Sequence, residues 1–213
     1  GELYYSSFNA RKEIVLDGKE GDYEAKLFKA ALNDKGEYEK PQALADNVNR
    51  AGFNSGGVSF SSDGRKMYFT RATLEANGIE TSRIYISYFR DRNWSAATDV
   101  SVLNGDFLNK HPFEGELFGK KVLFFSSNRP GSEGGFDIFY SEMNGDDFGL
   151  PVNLGPVVNT KQDEISPFYK EGTLYYSTSG QPGMGGFDLF YATWNGSKWE
   201  DPVNMGYQYN SSY

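Results

Sequence analysis

The chain has 213 residues and a formal net charge of −8, with a single histidine and no cysteine. Its length fits one large domain or two small ones. An acidic chain lacks the basic surface that phosphate binding requires, so no nucleic-acid partner is expected. Disulfides and cysteine-ligated metals are excluded. No apolar run approaches the roughly 20 residues of a membrane-spanning helix, so no spanning segment is predicted.

The sequence favours β structure from its first residues onward. Aromatic residues make up 16% of the chain, including 15 Tyr and 17 Phe, and these side chains suit half-buried strands. Because the chain begins at Gly1 inside a predicted strand, it is interpreted as a piece of a longer polypeptide. An apolar triplet recurs along the chain as Leu3-Tyr4-Tyr5, Met67-Tyr68-Phe69, Leu123-Phe124-Phe125 and Leu174-Tyr175-Tyr176.

An internal repeat indicates the architecture. Residues 123–155 and 174–206 align without a gap, from Leu-Phe-Phe-Ser to Pro-Val-Asn-Leu-Gly and from Leu-Tyr-Tyr-Ser to Pro-Val-Asn-Met-Gly. Repeats of this size indicate stacked supersecondary units. The markers divide one domain, 1–213, into four units at about 1–56 (first strand missing), 57–111, 112–164 and 165–213.

Each unit contains four short strand candidates. In the fourth unit they lie near 165–169, 173–178, 187–193 and Trp199. Asn195-Gly196, like Asn144-Gly145 in the third unit, is a strong hairpin signal. The predicted fold class is all-β, a β-propeller of four-stranded antiparallel blades, interpreted as part of a larger propeller or a longer protein. A β-sandwich is the alternative, but it does not explain the ungapped repeat.

Long polar connections between the second and third strands and between blades share one face of such a propeller, where binding residues are expected. Tight turns occupy the other face. The candidate partner-binding residues are Arg11, Lys12, Glu13, Lys19, Arg71, Glu75, Arg129 and Glu133. Solvated loops with no binding role would have the same composition.

Four polar residues recur at equivalent points of the last two units and are predicted to stabilise turns. Asp137 and Asp188 precede a strand, where a carboxylate can accept hydrogen bonds from backbone N–H groups. Asn153 and Asn204 lie in Val-Asn-x-Gly, where the amide can cap a turn. One aspartate per unit does not supply the converging oxygen ligands of a calcium site.

The usual catalytic patterns are not found in the sequence. His111 is the sole histidine, and no Gly-x-Ser-x-Gly nucleophile motif is present. The double glycines lie between predicted strands, unlike phosphate-binding loops. The sequence therefore predicts no enzyme, no cofactor and no metal site.

Two segments of the third unit, 124–131 (Phe-Phe-Ser-Ser-Asn-Arg-Pro-Gly) and 134–139 (Gly-Gly-Phe-Asp-Ile-Phe), carry a family resemblance. They resemble the WD40-like, TolB-type propeller repeat of Bacteroidetes OmpA-family envelope lipoproteins, among them the PorE-like component of type IX secretion. The resemblance is most specific over 121–206. The family's Ser-Pro-Asp-Gly turn is replaced by Ser-Ser-Asp-Gly at 61–64 and is absent from the third and fourth units.

The resemblance implies a periplasmic, outer-membrane-associated lipoprotein whose propeller is a non-catalytic docking scaffold for unidentified envelope proteins. Peptidoglycan would be bound only by domains outside this chain. Two alternatives remain open: a propeller that binds a glycan or small ligand through exposed Tyr and Trp, and the accessory propeller of a hydrolase whose catalytic domain lies elsewhere.

Overall fold

The structure is a computed structural model that describes residues 1–8, 24–74, 78 and 80–212. Its strands in these ranges are β1 (Glu2–Phe8), β2 (Ala25–Ala31), β3 (Gln42–Ala43), β4 (Asn54–Phe60), β5 (Lys66–Leu74), β6 (Glu80–Arg90), β7 (Asn93–Trp94), β8 (Thr98–Asp99), β9 (Asn109–Leu117), β10 (Lys120–Ser127), β11 (Asp137–Asn144), β12 (Asp147–Phe148), β13 (Val152–Asn153), β14 (Glu164–Lys170), β15 (Thr173–Thr178), β16 (Asp188–Thr193) and β17 (Val203–Asn204).

The described strands form four antiparallel sheets arranged as a four-bladed β-propeller, which confirms the predicted fold class. Blade 1 has the order β1-β2-β3 and blade 4 the order β14-β15-β16-β17. Blade 2 has the order β4-β5-β6-β7 and blade 3 the order β9-β10-β11-β12. In blades 2 and 3 a second short strand, β8 or β13, also pairs with the third strand, so the outer position is divided between two short strands.

Apolar residues of successive blades pack face to face. Leu27 of blade 1 and Phe69 of blade 2 are fully buried in one shared cluster. Ile84 of blade 2 and Phe125 of blade 3 belong to a second cluster, and a third joins blades 3 and 4. Strands buried on both faces lose the alternation of apolar and polar residues, as in the continuous buried run of β10.

The inner strands β4, β9 and β14 pack against one another in series. Each carries a β-bulge at which one residue has a left-handed backbone: Gly57 at φ 57°, His111 at 53° and Ser166 at 57°. The bulge brings Gly57 so close to the next blade that a Cβ there would lie 3.1 Å from His111 Cδ2. A side chain at position 57 would therefore crowd His111, whereas the φ itself is also adopted by His111 and Ser166 at the equivalent bulges.

One asparagine per blade joins the connection after the outer strand to the first half of the neighbouring strand, which is β2 in blade 1 and the third strand in the other blades. The side-chain oxygen of Asn159 accepts from Ile138 N (2.8 Å), and its amide donates to Ile138 O (3.0 Å). The same pair of bonds is made by Asn49 to Leu27, Asn104 to Ile84 and Asn210 to Leu189. We call these four residues the asparagine clamps.

The clamp completes hydrogen bonding where the outer strand is too short to do so. β17 and β13 are each two residues long and pair with only two residues of the third strand. The next N–H of this strand would otherwise be buried without a partner. Its C=O also accepts from the backbone of the connection, as Ile138 O does from Leu154 N (3.1 Å). A carboxamide has one acceptor and one donor group, so the clamp supplies the acceptor that the N–H lacks and a second donor to the carbonyl.

None of the described residues forms a helix that could cross a lipid bilayer.

We expect Asn159→Asp to lower the free energy of unfolding by about 2–4 kcal/mol, measured by urea denaturation at pH 7. Asn159 is 1% exposed, so a carboxylate there loses the bond to Ile138 O and buries a charge. Asn144→Asp, in an exposed hairpin turn, is the matched control and should change stability by less than about 0.5 kcal/mol. Equal stability of the two variants would contradict a structural role for the clamp.

Candidate functional site

Five of the predicted partner-binding residues, Arg11, Lys12, Glu13, Lys19 and Glu75, lie outside the described residues. Glu133 is exposed in the connection between β10 and β11, as the loop prediction placed it.

Arg71 and Arg129 are buried, with 5% and 8% of their surfaces exposed, which corrects the expectation that they are presented in loops. Arg129 donates from Nη2 to Leu103 O (2.7 Å) and to Asn109 Oδ1 (2.8 Å). Arg71 donates to Val48 O (2.7 Å). Each guanidinium therefore ties one blade to the connection of the preceding blade.

Aromatic rings make these burials possible. The guanidinium of Arg71 lies 4.3 Å from the ring centre of Tyr85, and that of Arg129 lies 4.9 Å from Phe125 and 5.1 Å from Phe139. Burial lowers the pKa of Arg129 to about 10, so the side chain stays charged at neutral pH. Cation–π contacts offset part of the cost of removing the guanidinium from water.

Asp137 stabilises the turn before β11. Its carboxylate accepts from the backbone N of Glu133 (2.7 Å) and of Gly134 (3.3 Å). The Asn153 amide donates to the same carboxylate (2.7 Å), and the Asn153 side-chain oxygen accepts from Gly155 N (2.7 Å). These bonds hold the loop before β11 in one conformation.

Asp188 and Asn204 have the corresponding places in blade 4. Asp188 accepts from the backbone N of Met184 and Gly185, and Asn204 accepts from Gly206 N (2.8 Å). The second oxygen of Asp188 is buried and has no hydrogen-bond partner among the described residues. The turn geometry of blade 3 is thus repeated in blade 4, except that Asn204 does not make the bond to Asp188 that Asn153 makes to Asp137.

The bulges place His111 and Ser166 beside each other on adjacent inner strands. His111 Nδ1 accepts from Ser166 N and lies 3.3 Å from Ser166 Oγ, while His111 N donates to Thr70 Oγ1 (3.0 Å). Burial and then the nearby charge of Lys110 lower the pKa of His111 to about 4. The imidazole is therefore neutral at pH 7, and its Nδ1 is an acceptor.

Two buried carboxylates of the inner strands are committed to internal hydrogen bonds. Glu164 accepts from Thr160 Oγ1 (2.7 Å) and Thr178 Oγ1 (2.6 Å), and burial raises its pKa. Glu114 accepts from Tyr68 Oη (2.9 Å) across the interface of blades 2 and 3. Burial, followed by the charge of Glu114, raises the pKa of Tyr68. Neither carboxylate is presented to a ligand.

A cleft of about 550 Å³ opens between blades 2 and 3 on the face of the long connections. Exposed carboxylates of Glu80 and Asp106 line it, together with the partly exposed guanidinium of Arg83. Phe107 contributes an aromatic wall, and its ring is backed by the Arg129 guanidinium at 4.6 Å. We call this the interblade cleft.

Two charged side chains of the interblade cleft form ion pairs with neighbouring surface residues. Glu80 lies 3.8 Å from Lys110, and Arg83 lies 3.3 Å from Asp99. Asn128 also lines the cleft; its side-chain oxygen accepts from Leu108 N (2.7 Å), which leaves its amide free to donate. The cleft therefore combines carboxylate acceptors with guanidinium and amide donors.

The sequence analysis did not single out the interblade cleft. Its lining comes from the start of β6, the connection before β9 and the first residue after β10. The one available sequence signal is Arg83, which has the position that aspartate has at the start of the third strand in blades 3 and 4. Within the described ranges, no three His, Asp or Glu residues form a group that could hold a metal ion.

No family model and no curated protein matches the chain. An α-L-arabinanase of Penicillium chrysogenum in complex with arabinobiose has a TM-score of 0.55 at 13% identity, over 99% of this chain and 65% of that one. An α-L-arabinofuranosidase of Lactobacillus brevis has a TM-score of 0.52 at 14% identity, over 83% and 64%. A puromycin-hydrolyzing peptidase of Mycobacterium tuberculosis has a TM-score of 0.50 at 16% identity, over 85% and 27%.

At these identities the likeness shows the propeller fold, and the chain covers 27% to 65% of the lengths of these three solved chains. It also corrects the prediction that the chain is not an enzyme. Two of the three proteins are named for hydrolysis of arabinosides and share this fold, so a propeller without an obvious catalytic motif gives no ground to exclude catalysis.

We expect the His111 ring to titrate near pH 4, followed by NMR through the C–H signals of this sole histidine. An unfolded histidine titrates at about 6.5, so on acidification the unfolded chain binds the proton first. The stability that His111 contributes is complete above that pH and is lost as the pH falls toward the folded value.

The control is His111→Gln, whose stability should depend less on pH between about 6.5 and 4 than that of the original chain. A folded-state ring titration close to the unfolded value would contradict the burial of His111 at the bulge.

Proposed function

We propose that the chain is a carbohydrate-binding propeller and that the interblade cleft is its saccharide site. The observation that carries this proposal is the composition of the cleft, with two exposed carboxylates, a guanidinium and an amide beside the ring of Phe107. Sugar hydroxyls are both donors and acceptors, so they pair with such groups, while the C–H faces of a sugar pack on aromatic rings.

The location of the cleft supports this proposal. It lies where the long connections meet, and the blades beneath it are held by the asparagine clamps and by Arg129. A site on rigid elements binds with little loss of conformational entropy. The arabinanase and arabinofuranosidase, which have the same fold, make arabino-oligosaccharides the first ligands to test.

We further propose that Glu80 and Asp106 are the candidate residues for glycosidic-bond chemistry. Glycoside hydrolysis uses a pair of Asp or Glu residues on either side of the scissile bond. Glu80 and Asp106 both line the cleft, whereas Glu114 and Glu164 are held by internal hydrogen bonds. Hydrolysis is therefore to be measured on the same ligands as binding.

We expect arabino-oligosaccharides to bind the intact chain in calorimetric titrations, and Asp106→Asn to weaken binding about tenfold or more through lost hydrogen bonds. If the cleft also cleaves the ligand, Glu80→Gln and Asp106→Asn should each abolish the release of reducing ends. Glu133→Gln is the matched control because Glu133 is exposed on the same face and does not line the cleft.

Two results would reject the saccharide site. The first is the absence of any bound glycan on an array that includes arabinans. The second is binding that survives Asp106→Asn and Glu80→Gln unchanged, which would move the site away from the interblade cleft. Binding without release of reducing ends would restrict the function to recognition.

We also propose a periplasmic, outer-membrane-associated setting with an envelope protein as a partner. The support is the resemblance of residues 121–206 to the WD40-like repeats of envelope lipoproteins. Fractionation of source cells with an antibody against this chain should recover it with the outer membrane. Recovery in the cytoplasmic fraction would reject this setting and leave the saccharide proposal unaffected.

A further inference from the structure

A second cavity, of about 260 Å³, opens on the opposite face of the propeller, where the tight turns of blades 1 and 2 meet. Four aromatic residues line it: Tyr4 of β1, Phe60 of β4, Phe89 of β6 and Trp94 of β7. We call it the aromatic pocket. Glu2 and Gly64 complete its lining.

The four rings form adjoining walls rather than a stack. The ring centres of Tyr4 and Phe60 are 4.7 Å apart at an interplanar angle of 60°, and those of Phe89 and Trp94 are 5.1 Å apart at 58°. Phe60 and Trp94 are tilted by 44°, and Tyr4 and Trp94 by 87°. None of these pairs is parallel, so the rings meet at a tilt or edge to face and line the cavity from several sides.

The pocket is open to solvent and is not closed off as part of the core. Phe89 is 43% exposed, while Tyr4, Phe60 and Trp94 are half-buried. Their inner edges pack on the buried cluster of blades 1 and 2, which fixes the rings in place. A preorganised group of rings therefore faces water on one side.

A carboxylate adds negative charge at the rim. Glu2 accepts a hydrogen bond from Tyr4 Oη (2.8 Å), and this bond is the main cause of a lowered pKa of Glu2, which keeps it ionised. Lys29 lies 3.4 Å from Glu2, with both side chains at least 40% exposed, so their pairing is weak. The chain as a whole carries a net charge of −8, which attracts cations.

We propose that the aromatic pocket binds a small organic cation bearing a methylated ammonium group, such as choline. Aromatic rings that surround a cavity attract such a cation through their faces, and its methyl groups lose little hydration on entering. A neutral molecule of the same shape would gain neither the cation–π attraction nor a net electrostatic attraction to Glu2. This site is separate from the interblade cleft, and neither proposal depends on the other.

The test compares choline with 3,3-dimethylbutan-1-ol, a neutral molecule of nearly the same shape, by calorimetric titration of the intact chain. We expect choline to bind at least about tenfold more tightly, since only the cation gains the cation–π attraction. Equal binding of the two, or no binding of choline, would overturn the proposal. Tetramethylammonium should compete with choline for the pocket.

Variants locate the site. Trp94→Leu should weaken choline binding about tenfold or more and Glu2→Gln a fewfold, since the first loses the ring and the second only the rim charge. Phe118→Leu is the matched control, because Phe118 is 49% exposed and contacts Trp194 between blades 3 and 4, away from the pocket. Full binding by the first two variants would overturn the assignment.

Glu2→Gln keeps the test decisive if Trp94→Leu fails to fold, because an exposed charge at the rim can be removed without disturbing the core.

A separate experiment with phosphatidylcholine vesicles distinguishes the source of the ammonium group. Retention on vesicles assigns it to a lipid headgroup, and choline binding without retention assigns it to a free solute.

Discussion

The pair of hydrogen bonds made by each asparagine clamp determines how a blade of this protein ends. The outer strands β13 and β17 are two residues long, so they cannot satisfy the third strand along its length. Asn159 and Asn210 supply the missing acceptor, and a second donor to the neighbouring carbonyl, from the connection that follows the outer strand. The same side chain therefore closes one sheet and fixes where the next inner strand begins. The packing of successive blades builds on this coupling, because β4, β9 and β14 follow directly on the clamp connections.

The clamps and the buried arginines together produce two faces with different properties. On the face of the long connections, Arg129 bonds to Leu103 O, next to the clamp residue Asn104, so the backbone beside the interblade cleft is rigid while the lining side chains are exposed. On the other face, short hairpin turns bring aromatic residues of neighbouring blades together around a cavity. A chain with repeated backbone geometry can thus hold two chemically different sites, because side chains in the turns and connections are free to differ between blades.

The fold could be predicted from the sequence because its signals are local. Asn144-Gly145 and the apolar triplet at 123–125 specify a hairpin and a strand without reference to the rest of the chain. The burial of Arg129 could not be predicted, because an Arg-Pro-Gly segment has the composition of an exposed turn. The rings that cover its guanidinium, Phe125 and Phe139, lie on separate strands and contact it only in the folded chain. The interblade cleft was missed for the same reason. Glu80, Asp106 and Asn128 meet only through the packing of blades, and no periodicity in the sequence records that packing.

The clamps also have a consequence for the order in which the protein folds. Each joins residues separated by only 20 to 22 positions, as in Asn104 to Ile84 and Asn49 to Leu27. Contacts of such short range close early, because little chain entropy is lost in forming them. A blade can therefore complete its hydrogen bonding as soon as its clamp leaves the ribosome, before the next blade is synthesised. During translation the sheets would then form one after another. The unpaired strand edges that promote aggregation of nascent β proteins would be exposed only briefly.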